Sequence, residues 1–417
     1  MQATTQTLRL ATEPAVKSTI DDLVRKGARQ MLQQAIEDEV AEYVERHKDV
    51  VDQAGQRMVV RNGRKPARSI LTSAGAIEVR QPRVNDRRID EHGQRMRFTS
   101  AILPPYLRKA QRIEKLVPWL YLKGISTSDF AEAFECLGLE GAAGFSATSV
   151  VRMKEIWQQE WQEWNKRSLA GKQYVYVWAD GIHFNVRLEE DCRPCVLVLM
   201  GATADGTKEL IAIHDGERES EMSWHELLLD AKSRGLTEPP KVATGDGALG
   251  FWSAMSKVFP GVVHQRCWVH KTANVLNKLP RGMHAAAKAK LHDIWLAGTR
   301  AEAIKAFDLF VATYEAKHPK AVECLKKDRD VLLAFYDCPA EHWSHLRTTN
   351  PIESTFATVR LRTARTKGSG SRSACLTMVF KLCQEAERHW RKLNGSPLLE
   401  EIVRGIQFVD GVRKVAA

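Results

Sequence analysis

A chain of 417 residues is too long for one hydrophobic core, and the usual size rule divides it into about two to four domains. A formal net charge of +11 with 27% charged residues points to a polyanionic partner, nucleic acid first, because excess cationic charge steers and holds phosphate chains. No apolar run reaches the roughly 18 residues needed to span a bilayer, which excludes a membrane-spanning protein.

The opening Met1-Gln-Ala-Thr-Thr-Gln6 lacks the charged and apolar zones of a signal peptide. The 8 cysteines are scattered and do not read as a disulfide framework, so a reducing, cytoplasmic and nucleoid-associated setting is expected. Cys192 and Cys195 form one Cys-x-x-Cys with no second pair nearby at zinc-site spacing, and it reads as a turn between strands.

Residues 15–47 carry Ile20, Leu23, Val24, Met31, Leu32, Ile36 and Val40 at helical spacing, which predicts one amphipathic helix or a pair. The character then changes. Arg57-Met-Val-Val-Arg-Asn-Gly63 and Gly75-Ala-Ile-Glu-Val-Arg80 read as short strands around an Asn-Gly turn. Arg57, Arg61, Arg64, Lys65 and Arg68 in this stretch are expected to contact DNA phosphates, against the blander reading of a solvated ribbon.

Residues 106–170 read as helical again, broken by glycine turns at 123–126 and 141–146, with Ser126 or Thr127 and Ser146 as helix caps. Helix, turn, helix and a further helix outline a helix-turn-helix unit, although packed helices without DNA contacts share that outline. Trp157, Trp161 and Trp164 fall on one helical stripe and read as core packing rather than a base-stacking surface.

From residue 173 strands and helices alternate. Strands are expected at 174–180, 183–187, 195–202, 208–214 and 241–246, and helices at 221–234, 251–259 and 271–279, with 261–269 extended. This order predicts an α/β catalytic core with an RNase H-like mixed sheet whose first strand lies in the middle. Residues 283–335 then read as helices, a subdomain inserted into the core. The organisation expected is 1–50 helical, 51–105 arginine-rich β, 106–170 helix-turn-helix-like, 171–280 first part of the core, 281–347 all-α insertion, and 348–417 second part of the core with C-terminal helices.

Asp180 and Asp246 stand where apolar, β-prone runs give out, and Glu353 follows Asn350-Pro351 at a helix start. Strand ends of an open sheet are where ligands bind, so three such carboxylates could converge on divalent metal. Taken singly, Asp180-Gly181 and Asp246-Gly247 also read as turn punctuation. Glu353, three residues after Asn350, also has the spacing of a capping box.

The set Asp180-Gly-Ile-His183, Gly245-Asp246-Gly247, Gln265-Arg-Cys-Trp-Val-His270 and Thr348-Thr-Asn-Pro-Ile-Glu-Ser354 resembles the Mutator-like transposases of bacterial insertion sequences. The resemblance covers nearly the whole chain. It implies a DDE enzyme that binds terminal inverted repeats, cuts at element ends and joins them to target double-stranded DNA with Mg²⁺. By position, Asp180, Asp246 and Glu353 would be the triad and the metal ligands, and Cys267 and His270 match a family signature near the active site.

Two hard cations about 4 Å apart activate an attacking oxygen and hold a leaving oxygen, and carboxylates suit Mg²⁺, with Mn²⁺ able to substitute. Asp180 is expected to bridge both ions, with Asp246 on one and Glu353 on the other. Cys267, His270 and Asn350 are expected behind the ligands or facing DNA, Asn350 as the cap that directs Glu353; two ligands alone, Cys267 and His270, make a poor zinc site. Arg360, Arg362, Arg365, Lys367 and Arg372 are expected at phosphates beside the scissile bond. Handling two DNA ends implies a homodimer or larger assembly. The competing functions are an RNase H-type hydrolytic nuclease and a DNA-binding regulator with an inactive core.

Overall fold

The computed structural model describes residues 19–108, 110–125, 132–134, 147–183, 195–216, 220–247, 249–365 and 371–414. The chain divides into two compact units, Met1–Val150 and Val151–Ala417.

In the first unit, α1 (Thr19–Arg46) is a single helix of 28 residues. Its Ala28, Leu32 and Ile36 recur at intervals of four and pack on Ile70, Ile77, Val79 and Leu103, the i, i+4 contact row of a helix against a sheet. Two antiparallel ribbons follow: β1 (Val59–Arg64) pairs with β4 (Pro82–Asp86), and β2 (Arg68–Thr72) with β3 (Gly75–Val79).

Asn62-Gly63, expected as a turn, lies instead inside β1, where the register shifts between Arg61 and Arg64. Gly63 has φ +68 there, the left-handed conformation a bulge demands. The turn falls between Thr72 and Gly75, closed by a 2.9 Å hydrogen bond from Thr72 Oγ1 to the Gly75 carbonyl.

Helix α2 (Gln111–Leu122) and helix α3 (Ala147–Asn165) lie in the stretch expected to form a helix-turn-helix. The Ser126, Thr127 and Ser146 caps and the glycine turn at 141–146 lie outside the described residues. Trp157 is buried and Trp164 packs on Phe380 with ring centroids 5.1 Å apart, so this stripe is core, as its spacing predicts.

The second unit is built on one five-stranded sheet, order β7-β6-β5-β8-β9. These are β5 (Tyr174–His183), β6 (Cys195–Thr203), β7 (Lys208–Gly216), β8 (Val242–Gly245) and β9 (Val263–Arg266). The first strand of the unit, β5, is central, antiparallel to β6 and parallel to β8. The expected break between strands at 174–180 and 183–187 does not exist at Gly181, since β5 runs unbroken to His183. Residues 184–194, and Cys192 with them, lie outside the described residues, while Cys195 opens β6 and is buried.

One face of the sheet carries Tyr174, Val177, Ala179, Leu197, Leu199 and Ala243. It packs against Trp224, Leu227, Leu228, Phe251, Ala254 and Met255 from α4 (Glu221–Ser233) and α5 (Leu249–Val258). Each fully buried Val, Leu, Met or Phe among them contributes about 1.5–3 kcal/mol. Close packing explains Gly201, where a Cβ would lie 2.6 Å from the Tyr174 ring.

After α6 (Trp268–Leu276) the stretch expected as an insertion is helical: α7 (His284–Trp295), α8 (Arg300–Tyr314), α9 (Pro319–Lys326) and α10 (Arg329–Leu332). It docks back on the core through Gln265, whose Nε2 donates to the Leu332 carbonyl at 3.2 Å and whose Oε1 accepts from the Phe335 amide at 2.8 Å. The short α11 (Trp343–Leu346) leads to α12 (Asn350–Arg365), and α13 (Arg372–Glu387) packs beside β7.

Candidate active site

The second face of the sheet organises the site. Tyr176, Trp178 and Asp180 alternate onto it from β5. Tyr176 Oη lies 2.8 Å from His342 Nδ1, and Trp178 Nε1 donates to the His345 carbonyl at 2.9 Å. From β8, Thr244 Oγ1 donates to the Leu346 carbonyl at 3.1 Å. Residues 342–346 therefore lie across this face and deliver the chain to α12, whose first turn carries Glu353.

Trp178 pairs in register with Thr244, and two residues further along each chain stand Asp180 and Asp246. Adjacent strands lie about 4.8 Å apart, so the two carboxylates leave the sheet side by side. Asp180 is not the last residue of its strand. On one side its parallel neighbour β8 ends at Gly245 while β5 continues, and on the other side Asp180 pairs with Val198 of β6, so the carboxyl is buried where the β8 ladder stops.

The turn after Asp246 needs glycine. Gly247 has φ +86, and a Cβ there would overlap the guanidinium of Arg266. Arg266 Nη1 donates to the Gly247 carbonyl at 3.2 Å and pairs with Asp328 at 3.0 Å. Asp328 also pairs with Lys271, which is fully buried, so the turn carrying Asp246 is braced by the insertion.

Glu353 is held from two sides. Thr349 Oγ1 donates to Glu353 Oε1 at 2.6 Å, and His270 Nδ1 stands 3.7 Å from the same oxygen, within ion-pair distance but beyond a hydrogen bond. Cys267, fully buried, stands at the N-cap position of α6, and its sulfur receives the Thr349 amide at 3.4 Å and lies 3.4 Å from Thr349 Oγ1. Cys267 and His270, three residues apart, share one helix face, and their side chains hydrogen-bond.

The electrostatics record the convergence. Burial pushes the Asp180 carboxyl up to about 7; the His270 charge opposes this, while Asp246 and Glu353 reinforce it. The hydrogen bond with Cys267 holds His270 up to about 9, against burial and with help from Asp180 and Glu353. Asp180 Oδ1 accepts from the Gly181 amide at 2.9 Å, whereas its buried Oδ2 has no hydrogen-bond partner. A buried acceptor left open is uncommon.

The description "Transposase, Mutator family" matches residues 1–393 of this chain. The chain belongs to the Mutator family of transposases. It is 50% identical over 299 residues to the transposase for insertion sequence element IS6120 of Mycolicibacterium smegmatis, covering 72% of this chain and 92% of that protein. It is 48% identical to the transposase for insertion sequence element IST2 of Acidithiobacillus ferrooxidans, covering 67% of this chain and 95% of that protein. The transposase for IS256 in transposon Tn4001 of Staphylococcus aureus is 26% identical over 83% of this chain and 85% of its own length.

Other residues singled out in the sequence of this Mutator-family chain occupy varied settings. Asn350 is exposed at the head of α12, and Thr349, one residue earlier, makes the contact to Glu353 that the sequence reading gave to Asn350. The signal was present in Thr348-Thr349, but spacing does not reveal which hydroxyl reaches the carboxylate.

Arg57 is exposed, while Arg61 and Arg64 are half-exposed and both pair with Glu37 of α1, at 2.9 and 2.7 Å. Lys65 donates to Gln81 Oε1 at 2.9 Å, and Arg68 to the Pro104 carbonyl at 3.2 Å. Arg360 is exposed, whereas Arg362 is buried at 3% exposure. Arg372 pairs with Asp215 at 2.6 Å. Arg365 ends α12, and Lys367 lies outside the described residues. Among the described residues, no helix is long and apolar enough to cross a membrane.

Proposed function

We propose that this chain binds the terminal inverted repeats of its insertion sequence and carries out Mg²⁺-dependent strand cleavage and strand transfer through Asp180, Asp246 and Glu353 in an RNase H-like core. The observation that carries the proposal is the convergence on Asp180: a buried carboxyl, raised by burial and further by Asp246 and Glu353, with one oxygen open. The central first strand, antiparallel to β6 and parallel to β8, supports the fold assignment.

The residues present fit a hard divalent cation. Asp180 Oδ2 lacks a donor, and the donor set of two aspartates and a glutamate is the one Mg²⁺ takes. Asp180, Asp246 and Glu353 are the residues that would hold it. Bound there, Mg²⁺ would lower the pKa of an attacking water or 3′-hydroxyl and stabilise the leaving oxygen.

The chain's own groups prepare that pocket. Thr349 fixes the direction of the Glu353 carboxylate, Arg266 fixes the Asp246–Gly247 turn, and His270 supplies positive charge among three acids. Arg57, Arg61, Arg64, Lys65, Arg68 and Arg360 supply cations for the DNA backbone, and two ends held together call for a homodimer or larger assembly.

The test is incubation of the full chain with labelled element-end DNA, target DNA and Mg²⁺, resolving joined, nicked and hydrolysed products. Joined products from the wild type, lost in Asp180→Ala with end binding retained, are expected. Hydrolysis alone would indicate a nuclease, binding alone a regulator, and undiminished joining by Asp180→Ala would remove the triad.

A further inference from the structure

Cys267, His270 and Glu353 each offer a ligand atom, and these atoms lie within 4.8 Å of one another. We infer that they form a binding site for a thiophilic divalent metal of the Zn²⁺ class, chemically distinct from the all-carboxylate set above although Glu353 is common to both.

The donors suit that class. Thiolate and imidazole select softer metals than Mg²⁺, and one sulfur, one nitrogen and one carboxylate oxygen are a three-ligand zinc set whose fourth position takes water. Around a tetrahedral zinc such atoms would stand roughly 3.3–3.6 Å apart, from bond lengths near 2.0–2.3 Å. His270 Nδ1 and Glu353 Oε1 are already 3.7 Å apart, so little movement closes the site.

A second observation points to a ligand. Nδ1 of His270 is buried with no hydrogen-bond partner and stands 3.7 Å from Glu353 Oε1. A third is the environment of the sulfur: Sγ of Cys267 is fully buried at a helix N-terminus and accepts from the Thr349 amide at 3.4 Å. An N–H donor on the sulfur orients a thiolate ligand and stays in place when metal binds. Binding releases the Cys267 thiol proton and the proton held on His270, so no oxidant or reductant is involved.

Sequence spacing gives only Cys267 and His270, too few for a zinc site. Glu353 comes from a distant segment, brought in by residues 342–349 lying across the sheet. The site is also rigid: Cys267 is tied to β8 by its amide, 2.8 Å from the Gly245 carbonyl, and Trp268 is tied to the Arg347 carbonyl at 2.8 Å.

The test uses Co²⁺ on the metal-stripped full-length protein, because only sulfur ligation gives an intense near-ultraviolet charge-transfer band; carboxylates binding Co²⁺ alone give none. A saturable band that Zn²⁺ abolishes at one equivalent is expected. Cys267→Ser should eliminate it, and Glu353→Gln, which keeps the thiol, should retain the band but weaken Co²⁺ at least tenfold, with circular dichroism confirming that both variants fold. No band in the wild type, an undiminished band in Cys267→Ser, or unchanged Co²⁺ affinity in Glu353→Gln would overturn the inference. The readout does not depend on DNA chemistry, so an inactive but folded protein still tests it.

Discussion

Thr349 Oγ1 donates a 2.6 Å hydrogen bond to Glu353 Oε1, and the Glu353 amide donates to the Thr349 carbonyl at 3.0 Å. The carboxylate is thereby fixed to the first turn of its helix before any ligand arrives. A hydrogen bond to a charged group contributes about 1.5–3 kcal/mol, and about 1.4 kcal/mol is tenfold in rate. Thr349→Val, which keeps the shape and removes the hydroxyl, should slow single-turnover strand transfer about ten- to a hundredfold, while Thr349→Ser stays near wild type. A Thr349→Val rate within twofold of wild type would show that the hydroxyl is not needed.

The acidic cluster predicts an inverted pH response in chelator. Folded Asp180 holds its proton to about pH 7, against an ordinary value of 3.8; His270 holds its proton to about 9, against 6.5. The folded state therefore binds more protons over both intervals, and stability falls as pH rises, through Asp180 between about 4 and 7 and through His270 between about 6.5 and 9. Asp180→Asn should flatten the lower interval and leave the metal-free variant more stable than wild type at pH 8 by about 2 kcal/mol. The ceiling of about 4 kcal/mol is reduced by lost attraction to His270. Urea denaturation at pH 5 and pH 8 measures this; parallel pH profiles for the two proteins would contradict it.

Asp328 sits between two buried cations, Arg266 and Lys271. Removing one partner of a buried ion pair leaves uncompensated charge and costs about 3–5 kcal/mol. Asp328→Ala should lower the free energy of unfolding, measured by urea denaturation, by that amount. The double variant Asp328→Ala, Lys271→Met should recover part of the loss. A loss below about 1 kcal/mol in Asp328→Ala would mean that the cluster does not brace the core.

The arginines separate into two groups by burial. Arg61 and Arg64 are half-exposed beside Glu37, and replacing both with alanine should reduce the slope of log affinity for DNA against log salt by about 1–2, since each neutralised phosphate contributes about 0.9. Arg362 is buried, so Arg362→Ala should reduce stability and leave the slope unchanged. Salt titration by fluorescence anisotropy checks both, and the reverse pattern would overturn the division.

The strands and the acids were legible where local chemistry was strong. Apolar runs marked β6 to β8 within two residues at each end, and the turn-forming Gly247 marked where Asp246 leaves the sheet. Asp180 was placed at a strand end because Asp-Gly reads as punctuation, yet antiparallel pairing with β6 carries β5 past it. Asn62-Gly63 misled in the same way, since a left-handed glycine serves a bulge as readily as a turn. Helical periodicity located the helices after residue 283, but not that Asp328 among them supports the turn beside Asp246. Burial of Arg362 was hidden because a cluster of cations looks the same whether its members face solvent or the interior. Long-range contacts such as Thr349 to Cys267 have no local signature.

The central claim is that Asp180, Asp246 and Glu353 share divalent cation. Anomalous diffraction from crystals of the full chain soaked in Mn²⁺ tests it most directly. Manganese peaks within about 2.5 Å of carboxylate oxygens from all three residues, with Asp180 Oδ2 among the ligands, are the result the account predicts; manganese absent from this pocket, or bound without Asp180, would contradict it.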